Sequence, residues 1–239
     1  MSLRLNTLEK IDLDVVYINF HTYKDVLYSI STLINCLEKS DLNINIIILD
    51  NSYTLSFCQE RDELINFSQN FSNPQFDIKY VISEKNIGFG KGCNMAALNG
   101  NAPIILFLNC DTDLRTLDPK GFSNLLSMVD SNSVIAGPKV IDNRGLLHAS
   151  CFSFDPISIL FKPLRHVRKM GRLSKYIPNY KFFKKSIDRL TYEGLPKDKI
   201  SYVDWLSGCF LLVDRDFFND VGGFDDQYFL YCEDMDLCR

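Results

Sequence analysis

The chain ends in a stretch that mixes acidic and large aromatic residues at a spacing suited to chemistry. A bulky run, Tyr228 to Tyr231, separates two groups of acids. These acids are Asp225, Asp226, Glu233, Asp234 and Asp236. Bulky apolar neighbours exclude water and raise the free-energy cost of leaving carboxylates unpaired. The stretch therefore predicts a basic, metallic or catalytic partner close to these acids, and it differs from a solvated acidic face.

A second acidic motif, Asn109 to Asp113, follows directly on the apolar run Pro103–Leu108. The carboxylates of this motif should project from the end of a buried strand toward a cleft. Hard oxygen ligands of this kind suit Mg²⁺ or Mn²⁺ held together with a substrate phosphate. The alternative, which the local sequence leaves open, is a turn in which an Asp caps the next helix.

A glycine-rich segment, Asn86 to Asn94, carries Gly88, Gly90 and Gly92. Glycines at this spacing let the backbone run close to a bulky ligand before a helix starts. The segment is not the dinucleotide-binding fingerprint, because its spacing is GxGxG and it follows the third predicted strand. Taken alone, it is a weak signal of ligand binding.

The elements that must position these residues alternate between strands and helices. The strands are expected at Leu13–Phe20, Ile44–Leu49, Phe76–Ile82, Pro103–Leu108 and Cys209–Val213. The helices are expected between Thr22 and Leu37, and at Gln59–Gln69, Gly92–Leu98 and Pro119–Val129. This order predicts an α/β fold with an open, mostly parallel sheet flanked by helices. Polar residues follow four of the strands, at the edge of the sheet where ligands bind.

Composition limits the classes of protein that fit. The 239 residues are 46% hydrophobic and carry a net charge of −4, which gives no general affinity for nucleic acid. Eight cysteines without a CxxC pair, and no apolar leader after a basic start, predict a cytoplasmic protein with reduced thiols. The apolar runs fall short of the roughly 20 residues of a membrane-spanning helix.

One segment, Pro156 to Ile187, contains no acid and interleaves lysines and arginines with aromatic residues. Phe161, Leu164 and Val167 could share one face of a helix that lies at an anionic membrane surface. The other interpretation is a solvated basic excursion whose aromatic residues pack on the main body. The segment therefore predicts either peripheral membrane or acceptor contact, or no special function.

Taken together, the motifs resemble in order and spacing those of the family 2 glycosyltransferases, with the closest similarity to the rhamnosyltransferase-like branch. The resemblance runs from Val15 to Arg239. It is carried by Val15–Thr22, Leu49–Ser52, Asn86–Asn94, Leu108–Thr112, Val203–Gly208 and Gly222–Arg239. The six motifs are specific for the family but do not identify the sugar.

The resemblance implies a GT-A fold in a single domain, with a nucleotide-sugar-binding half over about 13–140 and an acceptor-binding and catalytic half over about 141–239. It implies transfer of a sugar, with rhamnose a candidate, from a nucleotide diphosphate sugar to a hydroxyl of a polysaccharide or lipid-linked acceptor. The anomeric carbon is expected to invert, and Mg²⁺ or Mn²⁺ is the expected cofactor. No nucleic acid partner is expected.

The resemblance also assigns roles to individual residues. Asp50 would contact the nucleoside, and the nucleotide sugar would be bordered by Asn86, Gly88, Gly90 and Asn94. The family's metal motif falls on Asn109 to Asp111, so that Asp111 is the expected metal ligand and Asn109 a weaker neighbour. An alternative alignment makes Asp111 and Asp113 the motif. The remaining roles are a sugar or acceptor pocket formed by Trp205, Gly208 and Glu233, and a catalytic base, Asp234.

The similar enzymes continue beyond this motif with a histidine that completes the metal site and with a helical region. The histidines of this chain, His21, His148 and His166, all precede the motif. We therefore expect a shortened chain with weakened metal binding and low turnover.

Two other functions compete with sugar transfer. The first is a catalytically silent nucleotide-sugar-binding or scaffolding protein with the same fold. The second is a nucleotidyltransferase that makes the activated sugar, which would need a glycine-rich, basic triphosphate loop after the first strand. The residues His21 to Lys24 do not form such a loop.

Overall fold

The computed structural model describes residues 11–52, 58–129, 133–142, 145, 147–148, 150–154 and 199–239. The chain divides into two compact units, which are described separately. The first unit falls within residues 1–137 and 208–237, and the second within 138–207 and 238–239. The basic segment Pro156 to Ile187 lies outside the described residues.

The first unit is built on a six-stranded sheet in which four neighbouring strands are parallel. Its strands are β1 (Leu13–Asn19), β2 (Ile44–Asp50), β3 (Phe76–Ile82), β4 (Ile104–Leu108), β5 (Ile135–Ala136) and β10 (Phe210–Asp214). They lie in the order β3-β2-β1-β4-β10-β5. Strand β10 runs antiparallel to β4 and to β5. The predicted open, mostly parallel α/β sheet is therefore confirmed.

The first four helices of this unit follow the strands as predicted, with changes at their ends, and the last two lie outside the predicted helical segments. They are α1 (Tyr23–Leu37), α2 (Gln59–Asn70), α3 (Phe89–Ala97), α4 (Pro119–Leu126), α5 (Arg215–Asp220) and α6 (Glu233–Leu237). Thr22 precedes α1 without capping it, because its hydroxyl donates to the Asn19 side chain at 3.1 Å. Helix α3 begins at Phe89, three residues before the predicted start at Gly92.

The core lies between the sheet and these helices. Strand β2 is buried at every position, as expected of a strand covered on both faces. Helix α1 presents a fully buried stripe to the sheet, formed by Val26, Ile30, Leu33 and Leu37. The helical spacing of these residues explains why the sequence forms an amphipathic helix here.

A buried ion pair fixes the amino-terminal edge of the sheet. Asp14, near the start of β1, is fully buried and accepts hydrogen bonds from Asn45 and from the Ala102 N–H, both at 2.8 Å. The Arg215 guanidinium at the start of α5 completes this set by pairing with Asp14. A buried carboxylate needs such partners because burial removes its hydration.

The described part of the second unit consists of short strands. They are β6 (Val140–Ile141), β7 (Leu147–His148), β8 (Cys151–Phe152) and β9 (Trp205–Leu206). Strand β6 pairs with β7, and β8 with β9, both antiparallel. None of the helices that the structure describes in either unit combines the length and the apolar character needed to cross a bilayer.

Candidate active site

Asn19 and Asp50 lie side by side at the carboxyl ends of β1 and β2, and Asp50 is one residue beyond the predicted end of its strand. The parallel register pairs Asn19 with Asp50, and the Asn19 amide donates to Asp50 Oδ1 at 3.1 Å. The Ser52 N–H donates to the same oxygen at 3.1 Å. Asp50 is only 1% exposed, so its charge depends on these donors. The strand ends therefore meet at one edge, as the sequence predicts.

The second oxygen of Asp50 is held from β3 and α2. The Tyr80 hydroxyl donates to Oδ2 at 2.7 Å, and Arg61 Nε lies 3.0 Å from the same oxygen. Burial, followed by the hydrogen bond to Asp50, raises the pKa of the Tyr80 phenol, which keeps it a donor. Asp50 is therefore the centre of a network that joins three strands and a helix.

Asn51 shapes the glycine-rich segment that follows β3. Its amide nitrogen donates to Asn86 Oδ1 and to the Gly88 carbonyl, both at 3.0 Å. Its amide oxygen accepts from the Ile87 N–H at 2.9 Å. Asn86 Oδ1 also accepts from the Gly88 N–H at 3.0 Å. These bonds fix the chain just before α3.

Helix α3 contacts the segment 222–233 that leads into α6. The Phe89 N–H donates to the Phe229 carbonyl at 2.9 Å. Gly88 has a φ of +89°, and a Cβ there would lie 2.5 Å from the Phe229 oxygen. Further along, the Asn94 side chain binds the backbone of Phe224. Gly88 is thus required by both its conformation and this close approach.

The end of β4 carries the expected metal motif. The Asn109 N–H donates to the carbonyl of Cys209, the residue just before β10, at 3.1 Å. Asp111 is exposed, and no described residue gives its carboxylate a hydrogen bond or ion pair. An exposed carboxylate two residues after an amide side chain suits the hard-oxygen donor set of Mg²⁺ or Mn²⁺. No group of three or more His, Cys, Asp or Glu able to hold a metal occurs among the described residues.

Asp113 differs from Asp111 because its carboxylate is already engaged. Arg115 donates to both Asp113 oxygens, with Nη2 2.6 Å from Oδ2 and Nε 3.1 Å from Oδ1. The hydrogen bond from Arg115 lowers the pKa of Asp113 to about 2. Tyr28 also donates to Asp113, at 3.3 Å. Metal binding by Asp113 would have to displace these donors.

The acidic pair at the start of α6 combines one anchored and one buried carboxylate. Asp234 Oδ2 accepts from the Gly208 N–H at 2.9 Å, and Oδ1 accepts from the Met235 N–H at 2.8 Å. Glu233 is 4% exposed, and its Oε2 has no partner among the described residues. Burial, and to a lesser degree the charge of Asp234, raises the pKa of Glu233. The two acids thus have different electrostatic environments.

Two residues before α6 have backbone conformations that side chains rarely adopt. Tyr231 and Cys232 have φ values of 70° and 74°. Left-handed non-glycine residues concentrate at functional sites because surrounding contacts must hold them there. Contacts with surrounding residues must therefore hold this turn, which lies directly before Glu233 and Asp234.

The structure brings most of the sequence-predicted site residues to one edge of the first unit. Gly208 and Cys209, the two residues just before β10, are bonded to Asp234 and to Asn109 respectively. Trp205 belongs to the second unit, where it stacks on Phe152 with ring centroids 4.2 Å apart. The assignment of Trp205 to a sugar or acceptor pocket therefore stays a prediction.

Sequence reasoning missed several polar residues of this edge. They are Asn19, Asn51, Arg61 and Tyr80, all of which hold Asp50 or the glycine-rich segment. The available signal was a polar residue at the end of an apolar strand, as at Asn19 and Asn51. For Arg61 and Tyr80 the strand register and the start of α2 were needed.

The chain matches two curated rhamnosyltransferases over parts of their length. It is 40% identical over 75 residues to Rhamnosyltransferase WbbL of Escherichia coli (strain K12), covering 30% of this chain and 26% of that protein. It is 63% identical over 35 residues to N-acetylglucosaminyl-diphospho-decaprenol L-rhamnosyltransferase of Mycobacterium tuberculosis (strain CDC 1551 / Oshkosh), covering 15% and 11% of the two chains. No protein-family model matches the chain.

A solved structure shares the fold over nearly the whole chain. The mannosyltransferase PcManGT from Pyrobaculum calidifontis, in complex with GDP-Man and Mn²⁺, superposes with a TM-score of 0.59 at 10% identity. The match covers 96% of this chain and 51% of that one. The fold of this chain is therefore the GT-A fold of glycosyltransferases. The partial sequence matches confirm the resemblance to family 2 glycosyltransferases of the rhamnosyltransferase-like branch.

Proposed function

We propose that the protein is an inverting glycosyltransferase that moves a sugar, with rhamnose the first candidate, from a nucleotide diphosphate sugar to a hydroxyl of a saccharide or lipid-linked saccharide. One observation carries this proposal. The two residues just before β10 are bonded to both parts of the site: Cys209 to the turn of Asn109, and Gly208 to Asp234. A metal-binding carboxylate and a general base would then share one edge of the sheet, where α/β proteins bind ligands.

The donor nucleotide would lie over the carboxyl ends of β1 and β2. Asp50 forms the floor of the proposed nucleoside pocket, where its carboxylate orients Tyr80 and Arg61. The segment around Asn86, Gly88 and Gly90 would border the diphosphate and sugar, because it follows β3 at the carboxyl edge of the parallel strands and leads into α3. The GDP-Man bound to the mannosyltransferase with the same fold supports a nucleotide sugar as ligand.

Asp111, with Asn109 as a weaker neighbour, would hold Mg²⁺ or Mn²⁺. A bound divalent cation supplies Lewis-acid stabilisation of the charge that develops on the departing nucleotide diphosphate. Asp113 fits this role less well, because Arg115 engages both its oxygens. The Mn²⁺ in the mannosyltransferase complex supports a divalent cofactor.

Asp234 would act as the general base. An acceptor hydroxyl is a poor nucleophile, so inversion requires a carboxylate that takes its proton during attack on the face opposite the leaving group. Backbone N–H groups hold both oxygens of Asp234, so its orientation is fixed before the acceptor arrives. Glu233 and Gly208 border Asp234 and are assigned to the acceptor or sugar pocket.

The acceptor is proposed to be a saccharide, either free or lipid-linked. The name of the mycobacterial relative describes a diphospho-decaprenol acceptor, which supports the lipid-linked form. A cytoplasmic location, with peripheral membrane contact through residues 156–187, remains a prediction from the sequence.

Sugar transfer tests this proposal directly. Purified protein, Mn²⁺ and a panel of nucleotide diphosphate sugars are incubated with saccharide acceptors, and the anomeric configuration of the product is read by NMR. Asp234→Asn should lower kcat by roughly 10²- to 10⁴-fold, the usual contribution of a general base. Asp236→Asn, on the same helix, is the matched control and should retain activity. Retention of anomeric configuration, or equal losses in both variants, would contradict the proposal. Nucleotide-sugar binding without transfer would favour the silent binding protein.

A further inference from the structure

The amide of Asn94 forms hydrogen bonds with the segment that leads into Glu233 and Asp234. Its Nδ2 donates to the Phe224 carbonyl at 2.7 Å and to Asp226 Oδ1 at 3.1 Å. Its Oδ1 accepts from the Phe224 N–H at 2.9 Å. Both N–H groups and the oxygen of the amide are thus used within the protein. An amide in this state offers no free donor to a nucleotide.

The surrounding residues fit around this amide closely. Gly223 has a φ of +78°, and a Cβ at this position would lie 2.5 Å from Asn94 Oδ1. Phe224 is 1% exposed and packs its ring on Phe107 of β4, with centroids 4.9 Å apart. The Asn94 amide therefore holds the turn at Gly223 in place, and the side chain that follows this turn, Phe224, packs in the core.

Two more contacts tie α3 to the same segment nearer the acidic pair. The Phe89 N–H binds the Phe229 carbonyl, and a Cβ at Gly90 would lie 3.3 Å from the Glu233 Cβ. Helix α3 thus contacts the segment at its start, its middle and its end. The left-handed residues Tyr231 and Cys232 lie between the last two contacts.

We propose that Asn94 is a positioning residue for Asp234, acting through the clamped segment 224–233, and that it makes no contact with the nucleotide. This inference rests on the proposed function, in which Asp234 is the base. The motif of Asn94 predicts nucleotide binding, and this proposal replaces that role with positioning of Asp234. Loss of the amide should free the segment to move and misorient the base, while the donor site on β1 and β2 stays intact.

The test compares Asn94→Ala and Asn94→Asp with Asn99→Ala. Asn94→Asp keeps the shape of the side chain and the acceptor for the Phe224 N–H but loses both donors. This variant replaces Asn94→Ala in the test if the alanine variant fails to fold. Asn99 is the matched control because its amide binds only the preceding turn, at Met95 O. Three quantities are measured: hydrogen exchange of residues 223–237, the Kd of a nucleoside diphosphate with Mn²⁺, and kcat against donor KM for transfer.

The Asn94 variants should exchange the amides of 223–237 at least tenfold faster than the parent. Their nucleotide Kd and donor KM should stay within twofold of the parent, while kcat falls at least tenfold. Unchanged exchange in 223–237, or a tenfold loss of nucleotide affinity, would overturn the proposal. If the parent binds no nucleotide, the proposed function fails, and exchange alone still decides whether Asn94 clamps the segment.

Discussion

The hydrogen bond between Tyr80 and Asp50 can be tested by removing a single oxygen atom. Tyr80→Phe deletes the hydroxyl that donates to Asp50 Oδ2 at 2.7 Å and keeps the ring. Asp50 is 1% exposed, so water cannot readily replace this donor. A tyrosine of the same unit, Tyr28, provides the matched control. Its hydroxyl donates to the exposed Asp113 at 3.3 Å.

The stability that Tyr80→Phe is expected to lose follows from the partners that Asp50 keeps. Hydrogen bonds to charged groups contribute about 1.5–3 kcal/mol to stability. Arg61 still pairs with the same Asp50 oxygen, so we expect the lower end, about 1.5 kcal/mol. For a chain of this size, this is a fall in Tm of roughly 3–6 °C. Tyr28→Phe should cost less than about 0.5 kcal/mol, because exposed contacts contribute little.

Thermal unfolding followed by circular dichroism at neutral pH measures both variants against the parent. Equal shifts for Tyr80→Phe and Tyr28→Phe would refute the reasoning that Asp50 is the centre of a buried network. A double variant should give the sum of the two shifts, because the two hydroxyls share no partner.

Three further outcomes are expected. Burial raises the pKa of Glu233 above its ordinary value of 4.5. Protonated Glu233 therefore stabilises the folded protein below pH 4.5 relative to higher pH, and this stabilisation is lost as the pH rises. Because Gln does not titrate, the Tm of Glu233→Gln should rise relative to that of the parent as the pH increases above 4.5, and parallel Tm curves would contradict this. Arg215→Ala leaves the buried Asp14 without its cation and should cost about 3 kcal/mol in urea unfolding, with nucleotide Kd unchanged. Gly88→Ala should destabilise more than Gly222→Ala in the same assay, since both have positive φ but only Gly88 meets a backbone oxygen; equal losses would argue against that contact.

Strand β2 was predictable because it is buried at every position and its sequence is mostly apolar; the predicted run Ile44–Leu49 ends one residue before the observed strand. The edge strand β3 also matches its prediction, Phe76–Ile82, at both ends, although most of its residues are not buried. The predicted start of α3 was three residues late, because glycine has a weak helix propensity and this segment contains three glycines. In the structure, the contacts of Gly88 and Phe89 with Phe229 fix the first turn of the helix. Tertiary contacts therefore decide where this helix begins.

The location of the candidate site could be predicted from the sequence, but the contacts of its individual side chains could not. Strand ends carry the polar residues, and parallel strands place them at one edge. The network around Asp50 depends on the register that pairs it with Asn19, which local sequence does not reveal. Asn94 resembles a ligand-binding residue by its motif, yet its partner Phe224 lies 130 positions further along the chain.

The central claim, a metal-dependent nucleotide-sugar site at this sheet edge, is tested most directly by calorimetry. Nucleoside diphosphates and nucleotide diphosphate sugars are titrated into the parent, Asp111→Asn and Asp113→Asn, each with and without Mn²⁺. We expect the parent to bind at least one of these ligands more tightly with Mn²⁺, Asp111→Asn to lose that metal-dependent gain, and Asp113→Asn to keep it. Absence of binding by every nucleotide, or an equal loss in both variants, would contradict the claim.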